Sequence, residues 1–314
     1  MKSIINKPII IIGAGRSGTT LLAETILSRH PDIAYLSEPT PIWSSGNAYR
    51  THDILTVNDA TPRISRNIIS RFERFIFASS KQRFMEKTPR NCLRIPFINK
   101  IFPDAKFVHV IRDGREVSLS ASNEWKGKPG NALDGQELRK LSKLPRLFKT
   151  SLRGVKKVLA GASFFEIPVY VYRYIDLFRR QIFNSDTVLW GVLIPGLKQI
   201  RSAHSLMETC AIQWEYCTIR ARSAGMLMSK EKYLEVRYED LIANPRPVVS
   251  NICDFLELPI NEEILSDLVK EVHESSTIEK WRTNLTAQEI FKIEQLTGST
   301  LLSLGYSLTE HTAN

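Results

Sequence analysis

The residues most able to do chemistry stand together near the start of the chain, in Gly13-Ala14-Gly15-Arg16-Ser17-Gly18-Thr19-Thr20. Here one cation and three hydroxyls are interleaved with glycines. Glycine lets the backbone turn tightly and lets a ligand approach the amides. A helix beginning at the end of such a turn offers N–H groups without intrahelical partners and the positive end of its dipole. Together these features make an anion site, usually for phosphate. The flanking elements suit that purpose. Ile9-Ile10-Ile11-Ile12 is a β-branched run of the kind that forms a strand buried on both faces. Thr19 to Arg29 carries the stripe Leu21, Leu22, Thr25, Ile26 and Leu27 and reads as a helix, ended by Pro31-Asp32.

Two formal motifs compete for this loop. The Walker A pattern, G-x-x-x-x-G-K-[ST], fits from Gly13 to Gly18, but Thr19 occupies the lysine position. An ATPase would lose the charge that meets the terminal phosphates. The dinucleotide fingerprint G-x-G-x-x-G is matched literally by Gly13, Gly15 and Gly18. Glu38 lies 20 residues beyond Gly18, where a ribose-binding acid belongs. A dinucleotide-dependent oxidoreductase is therefore one alternative, and a non-catalytic nucleotide-binding module is another. The Arg16 to Thr20 run suits a compact oxyanion such as a phosphosulfate better than a dinucleotide turn.

The rest of the chain supplies the frame. Strands are expected at Ile33–Leu36, Arg83–Glu86, Lys106–Ile111 and Tyr233–Val236. Helices are expected over about 64–76, 91–102, 114–125, 205–228, 246–257, 261–272 and 286–303, with 40–60 irregular. Strand–helix alternation around apolar strands implies an α/β fold, a mainly parallel sheet flanked by helices. Ligands then belong at the carboxyl ends of the strands. Residues 126–202 differ in character. Gly and Pro recur there, basic residues are dense from Arg146 to Lys157, and aromatics from Tyr170 to Arg180. They read as a helical insertion within a single domain of 1–314, placed to shape an acceptor site.

Composition narrows the partners. The 314 residues are 43% hydrophobic and 24% charged, which excludes disordered, collagen-like and coiled-coil classes. A formal net charge of +10 favours anionic partners without choosing among them. No recognised nucleic-acid module accompanies the basic runs, so nucleic acid is not expected. The four cysteines, Cys92, Cys210, Cys217 and Cys253, lack metal-ligand spacing and read as buried reduced thiols. No metal is expected. No signal-peptide core precedes the first strand and no apolar stretch is long enough to span a bilayer. A cytoplasmic location is expected, with peripheral membrane contact still compatible. Oligomeric state is not legible.

At this point the sequence resembles the sulfotransferases that use 3′-phosphoadenosine 5′-phosphosulfate (PAPS), members of the P-loop-like folds. Their first phosphate loop reads [RK]-S-G-T-T after a strand, as Arg16 to Thr20 does here. Their second signature is a strand ending in Arg with Ser eight residues on, as Phe107 to Arg112 and Ser120 provide. Glu86-Lys87-Thr88-Pro89 is similar to the family's lysine turn. Val236 to Leu241 is similar to its late strand, and Lys280 to Leu285 to its C-terminal tryptophan segment. The pattern is most similar to the bacterial and protein-tyrosine sulfotransferase branch.

The resemblance implies sulfuryl transfer from PAPS to a hydroxyl-bearing acceptor, with 3′-phosphoadenosine 5′-phosphate (PAP) as product. It implies a 5′ cradle of Arg16, Ser17, Gly18, Thr19 and Thr20, a 3′-phosphate clamp of Arg112 and Ser120, and cofactor contact by Tyr238. Spacing alone does not bring Arg112 and Ser120 together, because Ser120 lies about 9 Å along a helix begun near Gly114. In an in-line displacement charge grows on the bridging oxygen, and a fixed cation there lowers the barrier. Arg16 and Lys87 are the candidates. The histidine that follows the lysine turn in many small-molecule sulfotransferases is missing. Glu38, in Leu36-Ser37-Glu38-Pro39, matches the glutamate of the protein-tyrosine branch and is the candidate general base. Trp281 and His109 are expected to be packing residues.

Overall fold

The computed structural model describes residues 5–126, 189–272 and 279–310. Five strands form one sheet: β1 Ile9–Ile12, β2 Ile33–Ser37, β3 Arg83–Lys87, β4 Lys106–Ile111 and β5 Tyr233–Arg237. Their order is β2-β3-β1-β4-β5. Every pairing among them is parallel, with Ile9 level with Met85 on one side and Lys106 on the other. The expected mainly parallel α/β sheet is therefore present.

β1 shows why a run of four isoleucines belongs at the centre. Successive side chains of a strand point to opposite faces. Ile10 and Ile12 enter a core with Phe72, Phe84, Phe107 and Trp214. Ile9 and Ile11 enter another with Leu22, Met85, Val108 and Val249. All four are fully buried. Parallel strands need crossover connections, and helices of eight or more residues supply most of the cover. They are α1 Pro62–Ser79, α2 Gly114–Lys126, α3 Leu206–Gly225, α4 Pro245–Leu256, α5 Glu262–Val269 and α6 Ala287–Ser303.

Local chemistry sets their ends. In α1, Thr61 accepts a hydrogen bond from the Ile64 amide and Pro62 opens the helix. Ser80 ends it in the left-handed conformation at φ 55°. Its apolar face, Ile68, Phe72 and Ile76, is buried. Ser205 and Glu208 form a reciprocal capping box at the start of α3. Asp53 makes a buried polar junction. Its carboxylate accepts from Arg94 at 2.9 Å, Arg90 at 3.1 Å and the Leu193 amide at 2.7 Å. Its own amide donates to the Leu193 carbonyl at 2.8 Å. All four cysteines are free and buried. Among the described residues no helix is long and apolar enough to cross a membrane.

Several elements differ from the sequence reading. The helix expected over 19–29 is a π turn, Leu21–Ile26, followed by a 3-10 turn, Leu27–Arg29. The helix expected over 91–102 is a 3-10 turn, Pro89–Leu93, and then a separate helix, Ile95–Ile101. Pro96 has no N–H to continue the ladder across that join. The late strand ends at Arg237, and Tyr238 begins a short helix, Tyr238–Ala243. Thr40–Trp43 is helical within the stretch read as irregular. α3 stops at Gly225, where the Tyr233 ring occupies the space a Cβ would need. The proposed insertion over 126–202 falls largely outside the described residues, as do the basic run 146–157 and the aromatic run 170–180. Of its last residues, Leu197–Ala203 is helical.

Phe72 is fully buried and stacks on Phe84 with ring centroids 4.2 Å apart, and Trp43 lies 5.0 Å away. Phe72→Ala is expected to cost about 3–5 kcal/mol of unfolding free energy by urea titration. A loss under about 1 kcal/mol would show that the aromatic cluster does not anchor this face of the sheet.

Candidate active site

The strand order decides where a ligand can lie. From β1 the chain runs outward to β2, returns to β3, and then crosses β1 to reach β4. Connections leave β1 and β4 in opposite directions, which opens a crevice at their carboxyl ends. The glycine-rich loop follows β1 and Arg112 follows β4. The next strand on the other side, β3, ends at Lys87. Three candidate cationic positions are thus carried by three adjacent strand ends, with the loop in the middle.

The loop is built by close packing on both flanks. A Cβ on Gly13 would stand 2.7 Å from the Val110 carbonyl oxygen of β4 and 2.8 Å from Thr19. Gly18 has φ +94°, and its missing Cβ would meet the Tyr238 ring at 2.2 Å. Only glycine fits either position without moving a neighbour. Arg16 also takes the left-handed conformation, at φ 74°. The Ser17 amide donates to the Ala14 carbonyl at 3.1 Å, while the amides of Gly15, Arg16 and Gly18 donate to no described backbone carbonyl. Ser17 and Thr19 are buried, and Arg16 and Thr20 are exposed.

Arg16 is the point where the two sequence signatures meet. Its Nε donates to Ser120 Oγ at 3.1 Å, and its carbonyl accepts from Arg112 at 3.2 Å. Arg112 and Ser120, which spacing left apart, both reach the same loop residue. Arg112 is buried and lies over the Tyr238 ring at 4.2 Å, a cation–π arrangement. Its guanidinium is also 3.5 Å from Glu116. Glu116 accepts from the Trp281 amide at 3.0 Å, and burial raises its carboxyl above the ordinary value. Beside this cluster opens a cavity of about 320 Å³ lined by Arg16, Ser120, Asn123 and Glu124. Glu124 stands 3.8 Å from the Arg16 guanidinium.

A second cluster lies toward β3. Lys87 is buried, and its Nζ donates to Glu38 Oε1 at 2.8 Å. The Glu38 side chain is 48% exposed, enough for a second molecule to reach it. Glu38 sits in the left-handed region at φ 48°, and its amide donates to the Lys87 carbonyl at 3.0 Å. The turn beyond Lys87 is pinned from inside. Glu86 accepts from Thr88 Oγ1 at 2.6 Å and Asn91 Nδ2 at 2.8 Å. Complete burial pushes the Glu86 carboxyl up to about 7. Glu24, inside the π turn, lies 3.7 Å from Lys87 Nζ.

Sequence reasoning passed over Glu24, Asn123 and Glu124. Glu24 stands four residues beyond Thr20, and Glu124 four beyond Ser120. Helical spacing from two residues already singled out was the available signal. Trp281 and His109 are packing residues, as read. Trp281 is fully buried, with Arg115 over its ring at 3.8 Å. His109 is fully buried with Nδ1 2.6 Å from the Tyr233 hydroxyl, and burial pushes its pKa down to about 3. Among the described residues no group of three His, Cys, Asp or Glu side chains is arranged as metal ligands.

The strand order also separates this site from a dinucleotide fold. There the ribose-binding acid closes the strand next to the glycine loop. Here β3 intervenes between β1 and β2, so Glu38 is two strands from the loop and bonded to Lys87.

Comparison with known proteins gives the same direction. The chain is 32% identical over 125 residues to a putative protein-tyrosine sulfotransferase of Caenorhabditis briggsae, covering 37% of this chain and 43% of that protein. It is 26% identical over 130 residues to the nodulation protein NoeE of Sinorhizobium fredii, covering 37% and 31%. Each match thus spans less than half the length of the curated relative. The sulfotransferase domain of the Synechococcus PCC 7002 olefin synthase has the same fold, with a TM-score of 0.53 and 16% identity over 97% of this chain and 96% of that one. A model described as the sulfotransferase family matches residues 8–151 and 172–262, most of the sequence. The P-loop-like parallel sheet and the two signatures meeting at Arg16 lie within those stretches: the chain belongs to the sulfotransferase family.

Proposed function

We propose that this protein, as a single sulfotransferase domain, transfers a sulfuryl group from PAPS to a hydroxyl group of an acceptor. The observation that carries the reading is the convergence of Arg112 and Ser120 on Arg16, which puts two cationic centres at neighbouring strand ends. A donor with phosphate at both ends of a nucleoside needs two such centres. The loop fits it: three amides without described backbone partners border a turn that only glycine can make at Gly13 and Gly18.

In this reading the 5′-phosphosulfate lies along Arg16 to Thr20, and the 3′-phosphate between Arg112 and Ser120, with Tyr238 beside the nucleotide. PAPS, a substrate here, supplies the activated sulfuryl group and a good leaving group. An acceptor oxygen forms the new S–O bond as the bridging S–O bond breaks, its electron pair leaving with the phosphate. Lys87 and Arg16 offset the charge that grows there. Buried Lys87 does so most strongly, because little water screens it. Glu38 takes the acceptor proton. Its exposure lets an acceptor reach it, and its bond to Lys87 holds one carboxylate oxygen beside the buried ammonium. The likeness to a protein-tyrosine sulfotransferase over 125 residues supports a carboxylate in this role. A glycan or other natural-product hydroxyl is our preferred acceptor class, and a cytoplasmic location our preferred compartment.

Glu38→Gln is expected to lower turnover by roughly 10²-fold or more, with PAP affinity by calorimetry nearly unchanged. Unaltered kcat would remove Glu38 from the role. Arg112→Ala is expected to weaken PAP binding far more than binding of 5′-AMP, which lacks the 3′-phosphate. Equal losses for the two nucleotides would discard the clamp. Transfer itself is tested with radiolabelled PAPS and a panel of glycan, phenol, lipid and peptide acceptors. PAP binding without label transfer to any of them would favour a nucleotide-binding module.

A further inference from the structure

Lys87 faces two carboxylates, and only one of them has a place in the reaction above. Glu38 Oε1 is 2.8 Å from its Nζ and Glu24 Oε1 is 3.7 Å away. The two acids are held differently. Among the described residues the Glu38 side chain bonds only to Lys87, and it stands half in solvent. The Glu24 oxygen that faces Lys87 accepts from the Tyr35 hydroxyl at 2.8 Å and the Ser37 hydroxyl at 2.9 Å. Both donors project from β2, so Glu24 is fixed by the sheet from one side and by the π turn of the phosphate loop's helix from the other. Burial acts to raise its carboxyl, but the two hydroxyls and the Lys87 charge outweigh it and hold the group below the ordinary carboxylate range. The basic and acidic groups toward α5 are occupied elsewhere: Arg29 pairs with Glu271 and donates to the Asp267 carbonyl.

A buried ammonium needs a counter-charge at every stage of a cycle, because an unpaired charge in a dry site is strongly unfavourable. A base that accepts a proton stops being that counter-charge. We propose that Glu24 is the standing partner of Lys87, a positioning residue that takes over the ammonium when Glu38 becomes neutral. This rests on the sulfuryl-transfer reading for its purpose but not for its test. The proton moves only from the acceptor hydroxyl to Glu38. Glu24 stays ionised throughout, and once the nucleotide phosphate has left and before Glu38 releases its proton, the Lys87 ammonium closes the gap to Glu24 by about one ångström, from ion-pair to hydrogen-bond distance.

Glu38→Gln imitates the protonated base in the free protein. Its crystal structure is expected to show Lys87 Nζ within hydrogen-bond distance of Glu24 Oε1. An ammonium left at the original separation, or turned out to solvent, would overturn the proposal. A second measurement does not need crystals. With 13C-labelled glutamate, the Glu24 carboxyl titration is followed in the parent chain, Glu38→Gln, Lys87→Met and the double variant. Lys87→Met is expected to raise the Glu24 midpoint in both backgrounds, and by at least twofold more in the Glu38→Gln background. Coupling that is equal or weaker there would discard the takeover. PAP calorimetry on the parent chain separates the two readings. Failure to bind PAP would count against sulfuryl transfer, while the Glu24 titration would still decide this inference.

Discussion

The site depends on β1 lying between β3 and β4. Burial of Ile9 to Ile12 on both faces suits an inner place in the sheet, which β1 shares with the equally buried β3 and β4. Once it is central, the loop after it must emerge between the strand ends that carry Lys87 and Arg112. The glycines follow from the same constraint. Gly13 gives way to β4, and Gly18 gives way to Tyr238, whose ring also supports Arg112. The cations are thus positioned by packing of apolar strands, at some distance from any charge they would meet.

Among the described residues, the buried cations at and beside the site are each compensated. Arg112 is held by Glu116, the Arg16 carbonyl and an aromatic face. Arg115 is paired with Asp113 and Glu294 and lies over Trp281. Lys87 has Glu38 and Glu24. A cation that is already compensated can be kept dry, and a dry cation acts strongly on a nearby charge. The excess positive charge of the chain is therefore a weaker guide to the site than the few basic residues with buried partners.

Much of this was legible in the sequence, and the reasons are physical. The β-branched run of four isoleucines reported the first strand, because such a run suits a strand buried on both faces. The glycine loop was legible because backbone conformation and residue type are tightly coupled there. What failed was detail set by tertiary contact. Nothing local signals that the helix after the loop widens into a π turn. The break at Pro96 was readable in principle from its missing N–H, but the apolar pattern of 91–102 masked it. The meeting of Arg112 and Ser120 at Arg16 could not come from spacing, since it depends on the lateral order of strands. Glu24 escaped notice for a related reason: its partners, Tyr35, Ser37 and Lys87, sit on two different strands.

The junction at Asp53 has a consequence for exchanging parts among related chains. One carboxylate joins three stretches that are distant in sequence: its own loop, the turn after Lys87 through Arg90 and Arg94, and the backbone at Leu193. A graft that imports residues 189–194 from a relative, or recodes the turn at 90–94, inherits half of a lock. Changing position 53 while keeping the turn leaves buried Arg94 and partly exposed Arg90 without the anion they share. These three stretches form one inheritable unit, and recombination breakpoints that respect it are the ones that should give folded chimaeras.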